Sequence, residues 1–353
     1  MVKTIEFRNK PIRIDGESRV PKYRQIINSI IEDIDRGILR VGERVPSINE
    51  ISEEYYLSRD TVEKAYNELK KKQIIVSSKG KGYYVARASV SRRINILFLV
   101  NKLSSYKLDI YNAFVSALRT SAHVDLCVYH YDPKLFTQSL EESVGRYDYY
   151  VVMPHFKDAQ MMYRDAPFEV IEALEKIPGS KLMFIDNLVA GIDAEIPAVY
   201  QDFKTDLYEA LQDGLFRLKR YNKIILVFPQ STVYPFPPAI CSGFHEFCET
   251  FGFDQEVIDQ IYPDMDLCPG DAYVVIEEND LVKLVKQMRE KKMTPGSEIG
   301  IVSYNDTPLK ELLGITVIST DFRVMGETAA YMMTTGKREI VKNVFSFIDR
   351  NSV

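Results

Sequence analysis

The chain has little of what marks most catalytic, secreted and membrane proteins. Its 353 residues hold four cysteines, Cys127, Cys241, Cys248 and Cys268, which lie far apart with no C-x-x-C pair. That spacing speaks against a zinc site or a disulfide framework and for reduced thiols. The four histidines, His123, His130, His155 and His245, do not cluster either. No G-x-G-x-x-G, P-loop, G-x-S-x-G or H-E-x-x-H is present, so dinucleotide, phosphate-loop, hydrolase and zincin chemistries find no starting point. No catalytic residue, metal ligand or cofactor is therefore assigned. No apolar run reaches the roughly 20 residues that a membrane span needs. Residues 1–15 lack the apolar core of a signal peptide. The expectation is a cytoplasmic protein with no membrane partner.

What is present is ordinary in amount and uneven in placement. Hydrophobic content of 46% and charged content of 27% fit a globular protein, and the length suggests two domains. The net charge of −5 argues against nucleic acid if taken alone. Residues 1–92, however, carry 19 basic and 13 acidic side chains, a net of +6, and the remainder 26 and 37, a net of −11. A basic front on an acidic body suits a DNA reader joined to something that does not touch DNA.

The basic front is organised around residues 46–85. Ser47 and Glu50 form a capping box that opens a short helix, with Ile48, Ile51 and Tyr55 on one face. Ser58 is an N-cap candidate for a second helix, whose buried stripe is Val62, Ala65, Tyr66 and Leu69. The first turn of that helix, Ser58-Arg59-Asp60-Thr61, suits an N-terminus pressed into a major groove: backbone N–H groups and hydroxyls hold phosphate, and arginine reaches N7 and O6 of guanine. Ile74-Ile75-Val76, a Ser-Ser-Lys-Gly-Lys-Gly turn and Tyr83-Tyr84-Val85 read as a basic hairpin. A supporting helix starts at Pro21, buries Ile26, Ile27, Ile30, Ile31 and Ile34, and stops at Gly37. A short bridge over residues 38–45 allows one strand, and Arg44 in it either touches phosphate or pairs with an acid.

The run Tyr23, Gln25, Ile26, Gly42, Arg44, Pro46-Ser47, Ser58-Arg59, Thr61-Val62, Ala65, Leu69, Gly80-Lys81-Gly82 and Val85 resembles the winged helix-turn-helix of the GntR family of bacterial transcription regulators. The resemblance implies a recognition helix in the major groove, a wing in the minor groove, and a dimer. It implies DNA contacts from Ser58, Arg59 and Thr61 in the helix and from Lys79 and Gly80 in the wing; Arg44, Ser47, Asn49, Asp60, Lys64 and Lys81 are added as candidates on the same elements. The chain departs from the family at Asn49 and Glu63, where many members have arginine, and at Asp60, where a small hydroxyl residue is usual. An acid repels phosphate, so Asp60 and Glu63 either read a cytosine amino group or face away.

Beyond the linker the pattern changes to apolar strands alternating with helices. Strands are expected at 94–100, 126–131, 148–153, 181–185, 198–200, 223–228, 272–276, 298–303 and 316–318. Helices are expected at about 109–121, 134–146, 167–176, 204–219, 239–251, 279–291 and 324–335, with 255–262 ambiguous. Such alternation means parallel sheets, and there are too many strands for one small sheet. Two Rossmann-like lobes flanking a cleft result. Ligands of such sheets sit beyond the carboxyl ends of strands, and the strand exits here are rich in carboxylates, amides and aromatic rings.

The segments Ile301-Val302-Ser303-Tyr304-Asn305-Asp306-Thr307, Thr316-Val317-Ile318 and Asp321 to Ala330, with Gly243-Phe244 and Asp202, resemble the LacI-type, periplasmic-binding-protein-like sensor domain. The resemblance implies effector contacts at His155, Asp202, Glu277, Asn305 and Phe322, to which Tyr106 is added from the first strand exit. Family members usually have Asp at Asn305, Asn or Asp at Glu277 and Arg near Ile240. The joint architecture resembles the arabinose-responsive repressor type.

The fold class expected is α/β. It comprises an N-terminal winged helix-turn-helix (residues 1–87), a linker (88–93) and a C-terminal two-lobed, Rossmann-like periplasmic-binding-protein type I domain (94–353) that senses effector and dimerises. The function expected is that of a homodimeric DNA-binding regulator, a repressor, which binds double-stranded operator DNA under the control of a small-molecule effector, a sugar. The alternatives are a purine or other non-sugar ligand, or a GntR-headed enzyme with an aminotransferase-like body, for which the chain is short.

Overall fold

The computed structural model describes residues 12–16, 18, 20–35, 37–78, 80–86, 94–119, 121–192, 195–230 and 232–353. The expected linker and Lys79 lie outside the described residues. The chain divides into two compact units, Met1–Arg93 and Ile94–Val353.

The first unit contains α1 (Lys22–Asp35), β1 (Arg44–Val45), α2 (Ile48–Glu54), α3 (Arg59–Lys71), β2 (Ile75–Ser78) and β3 (Gly82–Val85). The Ser47–Glu50 capping box is formed, and Ser58 caps α3 by accepting from the Thr61 N–H. Ile26, Ile30, Ile51, Val62, Ala65, Tyr66 and Leu69 are buried together. β3 lies between β1 and β2, both antiparallel to it. This is a helix-turn-helix with a wing.

The second unit runs β4 (Ile94–Val100), α4 (Ser105–Leu118), β5 (Ala122–Val128), α5 (Pro133–Ser143), β6 (Tyr149–Val152), β7 (Phe156–Lys157), β8 (Tyr163–Arg164), α6 (Phe168–Glu175), β9 (Leu182–Asp186) and β10 (Ala198–Tyr200). It continues through α7 (Phe203–Asp213), α8 (Leu215–Leu218), β11 (Lys223–Val227), α9 (Ala239–Phe251), β12 (Asp254–Ile258), β13 (Asp271–Val275) and α10 (Glu278–Glu290). It ends with β14 (Gly300–Tyr304), α11 (Pro308–Leu312), β15 (Thr316–Thr320), α12 (Phe322–Thr335), β16 (Ile340–Lys342) and β17 (Phe345–Ile348). Two six-stranded sheets form, in the orders β16-β10-β9-β6-β4-β5 and β12-β11-β13-β14-β15-β17. All their pairings are parallel except that of β17 with β15. Each sheet is covered on both faces by apolar clusters, as parallel sheets require.

The lobes are not consecutive in sequence. The chain leaves the first lobe between β10 and α7, returns between β15 and α12, and leaves again between β16 and β17. Asn343, buried in the third crossing, ties all three together. Its N–H donates to Tyr200 O at 2.8 Å, and its Nδ2 donates to Thr320 Oγ1 at 2.7 Å and Asp321 O at 2.9 Å. Close helix packing beside these crossings needs glycine. A Cβ on Gly243 would collide with Lys204 O, and one on Gly326 with Ile110 O.

Several boundaries differ from the sequence expectation, each for a visible reason. The helix expected from 109 begins at Ser105 because its first buried position is Lys107, which an apolar pattern cannot reveal. The strand expected over 126–131 ends at Val128; His130 and Tyr131 follow at φ 50° and 61°. The helix expected over 204–219 breaks at Gly214, where a Cβ would meet the Phe347 ring. The ambiguous stretch from 255 is strand β12.

Candidate DNA-reading face and inter-lobe cleft

At the N-terminal unit, Arg59 and Asp60 open α3 and are exposed, with Asn49 exposed on α2 and Lys64 one turn along α3. Ser47 and Ser58 spend their hydroxyl lone pairs on the helix starts, and the Ser58 and Thr61 hydroxyls lie 2.8 Å apart. Each can still donate outward, but their first task is to fix the helix entry. Lys64 Nζ sits 4.2 Å from the centre of the Tyr23 ring. Arg44 lies 3.9 Å from Glu50 and runs along Gly82 at the base of the wing. Gly80, at φ 74°, and Lys81 form the exposed tip. Glu63 is exposed as well, so Asp60 and Glu63 both stand on the open side of α3. Tyr56, in the turn between α2 and α3, is 95% exposed and held at φ 52°.

In the second unit the strand exits meet at the cleft. Asp186, at the end of β9, is 2% exposed and adopts φ 76°. Its Oδ2 accepts from Lys107 Nζ and, at 2.8 Å, from His155 Nε2, while Oδ1 accepts from Gln201 Nε2. A carboxylate can only accept, so Nε2 carries the imidazole proton and Nδ1 is left to accept from the Tyr163 hydroxyl at 3.4 Å. Burial would raise the Asp186 carboxyl, but Lys107 and His155 outweigh it and hold the group well below the usual carboxylate range. Burial pushes His155 down to about 4, with the Lys107 charge adding to the effect. The imidazole is therefore neutral at pH 7. Burial lowers Lys107 too, opposed by Asp186.

Around this network lie buried polar atoms with no partner among the described residues. They are both amide atoms of Asn101, Gln201 Oε1, Tyr304 Oη and Asn305 Oδ1. Buried polar groups are nearly always paired, and these orphans gather at the exits of β4, β10 and β14. Lobe-to-lobe contacts at the cleft mouth are aromatic and cationic. Tyr131 packs on Tyr234 at 5.6 Å, and Lys157 Nζ donates to Val233 O at 3.2 Å.

The sequence-derived effector residues are distributed as follows. Tyr106 and Phe322 are in ring contact at 5.0 Å, and His155 belongs to the Asp186 network. Glu277 occupies the N-cap position of α10 without a side-chain cap bond. Asn305, at φ 62°, follows β14, and its carbonyl accepts from Lys310. Asp202 caps α7 by accepting from the Thr205 N–H at 3.1 Å. Sequence reasoning placed Asp186 and the stretch from Asn101 to Asp109 at strand exits, but it did not assign Lys102, Lys107 or Asp186 as effector contacts or foresee that they are buried ions. A signal existed for Lys107, because it shares helical spacing with Ile110, Phe114 and Leu118. A lysine in an apolar stripe demands a buried counter-ion.

Comparison with known proteins agrees with both halves. Residues 22–85 match the bacterial regulatory proteins of the gntR family. The HTH-type transcriptional repressor YtrA of Bacillus subtilis (strain 168) is 37% identical over 75 residues, 21% of this chain and 58% of that one. The mannosyl-D-glycerate transport/metabolism system repressor MngR of Escherichia coli (strain K12) is 37% identical over 90 residues, 25% of this chain and 38% of that one. The chain thus spans less than two thirds of these relatives. Among solved structures, the trehalose repressor from Escherichia coli superposes with a TM-score of 0.56 at 15% identity, over 72% of this chain and 99% of that one. Lac repressor, solved as a dimer bound to operator and an anti-inducer, gives 0.55 at 14% identity over 74% and 94%. The N-terminal unit is a GntR-type winged helix-turn-helix, and the body has the LacI-type, periplasmic-binding-protein-like fold.

Proposed function

We propose that this chain is a homodimeric, non-enzymatic repressor whose hold on operator DNA is set by a monosaccharide bound between the lobes. The observation that carries the effector half is the set of unpartnered buried polar atoms at strand exits of both lobes, beside the Tyr106–Phe322 ring pair. Amides and hydroxyls make directional bonds to sugar hydroxyls, and ring faces cover the apolar face of a sugar. The mechanism is linkage. Effector binding favours one arrangement of the lobes about the Asn343-tied crossings, the arrangement sets the spacing of two DNA heads, and DNA and effector thereby change each other's affinity by the same factor. The protein works in the cytoplasm.

The two halves separate by mutation. Arg59→Ala abolishes sequence-specific retardation of the promoter beside the chain's own coding region and leaves effector binding intact. Asn305→Ala weakens effector binding and leaves DNA binding intact. Retained retardation by the first, or unchanged calorimetric affinity in the second, overturns the corresponding assignment. The same ring pair also fits a nucleobase. Thermal shift against sugars and nucleobases separates the two, since a ligand at ~100 times its Kd stabilises by about 2.7 kcal/mol. A shift with nucleobases alone defeats the sugar reading.

A further inference from the structure

Lys102 sits just past β4 and is 9% exposed. Its Nζ lies 5.6, 5.5 and 5.3 Å from the ring centres of Tyr106, Tyr234 and Phe236. Tyr106 belongs to the first lobe and the other two to the loop after β11 in the second, so the ammonium stands in the cleft itself. Among the described residues no carboxylate comes within 4.0 Å of it. Asp186 is already engaged by Lys107, His155 and Gln201. Glu277 acts on Lys102 only at longer range and is half-buried at a helix start. Burial first, and the Lys107 charge second, push Lys102 down to about 8, which leaves it cationic at neutral pH. Aromatic faces attract a cation but do not neutralise it. Beside it are Asn101, 0% exposed with both amide atoms unpartnered, and Ser104 Oγ.

We propose that the effector bears an anionic group, a carboxylate or a phosphate, on a polyhydroxylated frame, and that Lys102 receives that group in the cleft. The proposal rests on the reading of the cleft as the effector site and narrows its ligand class. A buried charge is tolerated when it is paired, and the lining supplies no pair for Lys102. A neutral sugar closing the lobes would bury the ammonium further with nothing to balance it. An anion completes the site, because charge-assisted hydrogen bonds are the strong ones in a dry pocket. Lysine, a point charge on a flexible stem, accommodates either oxyanion. The hydroxyls of the frame then engage Asn101, Ser104, Gln201 and Asn305.

The test is calorimetry on the full chain with matched ligands. These are glucose, galactose and arabinose, the uronic and aldonic acids of the hexoses, and the corresponding sugar phosphates. An acid or a phosphate is expected to bind at least about tenfold tighter than its neutral parent, and the set that wins tells carboxylate from phosphate. Lys102→Met keeps the apolar stem as far as the Cε position, deletes the ammonium and suits the three rings. It is expected to weaken the anionic ligand by about 10- to 100-fold and to raise the melting temperature of the ligand-free protein. Neutral sugars binding as well as their acids and phosphates would overturn the proposal and leave the cleft reading intact. An anionic ligand indifferent to Lys102→Met would overturn the role of Lys102. Binding confined to nucleobases would remove the monosaccharide reading and this proposal together.

Discussion

Replacing Asp186 with asparagine isolates the charge at the centre of the first lobe's cleft wall. Asp186 sits at φ 76°, a region asparagine enters more readily than most residues, so the backbone is undisturbed. The side-chain oxygen still accepts from Gln201. What changes is Oδ2, where an amide nitrogen would now face Lys107 Nζ, donor against donor. Lys107 is 2% exposed and pairs with Asp186 alone among the described carboxylates. Breaking a buried ion pair by deleting one partner costs about 3–5 kcal/mol, a large part of the roughly 5–15 kcal/mol that holds a domain folded. Adding Lys107→Met removes the stranded ammonium. The double variant should recover most of the loss, with a coupling energy of at least about 2 kcal/mol. Urea unfolding of the full chain followed by circular dichroism reads this as midpoint shifts at unchanged slope. A single-variant loss below about 1 kcal/mol, or a double variant no better than the single, would refute the buried-pair account.

His155, pushed down to about 4 from an unperturbed value of about 6.5, binds a proton in the unfolded chain before the folded one. Its contribution to stability is complete above about pH 6.5 and is lost as pH falls toward 4. Asp206, raised to about 6 by burial, acts oppositely over nearly the same window, so wild type must be compared with His155→Gln. Between pH 7 and pH 5 the wild type should lose about 2 kcal/mol more than the variant, and equal losses contradict the assignment. Asn343→Leu removes the two Nδ2 bonds, to Thr320 Oγ1 and Asp321 O, that join the crossings. It should cost about 1–3 kcal/mol and blunt the effect of ligand on operator binding; unchanged linkage would show that Asn343 does not hold the hinge. Tyr56→Gly relieves a left-handed residue that is 95% exposed. It should stabilise the first unit by about 0.5–1 kcal/mol, read by its unfolding midpoint; destabilisation would show that the ring contributes contacts.

The first unit was legible because α2 and α3 each announce themselves twice, by a cap and by an apolar stripe. Ser47 with Glu50, and Ser58 with Val62, Ala65, Tyr66 and Leu69, all appear as the pattern demands. In the body the alternation of apolar strands and helices gave two parallel sheets. It could not show β16 and β17, whose partners β10 and β15 lie far back in the chain. Nor could it show that Asn343 stitches the crossings, since a lone asparagine near a chain end carries no pattern. The cleft was half legible. Strand exits such as Asn101, His155 and Asn305 follow from topology. The Lys107–Asp186–His155 network depends on side chains 31 to 79 residues apart; topology places His155 and Asp186 at strand exits, and the lysine's place in a buried stripe hints at its need for a partner, but nothing in the sequence pairs them. Asp202 shows the reverse: a carboxylate at a strand exit whose structural work is to cap α7.

The most direct test of the account is the affinity of the full chain for the promoter beside its own coding region, measured with and without each sugar of the matched panel. The account predicts sequence-specific binding that one sugar changes, and an equal change in that sugar's affinity when the DNA is present. Promoter binding that is absent, or that no sugar in the panel alters, would contradict it.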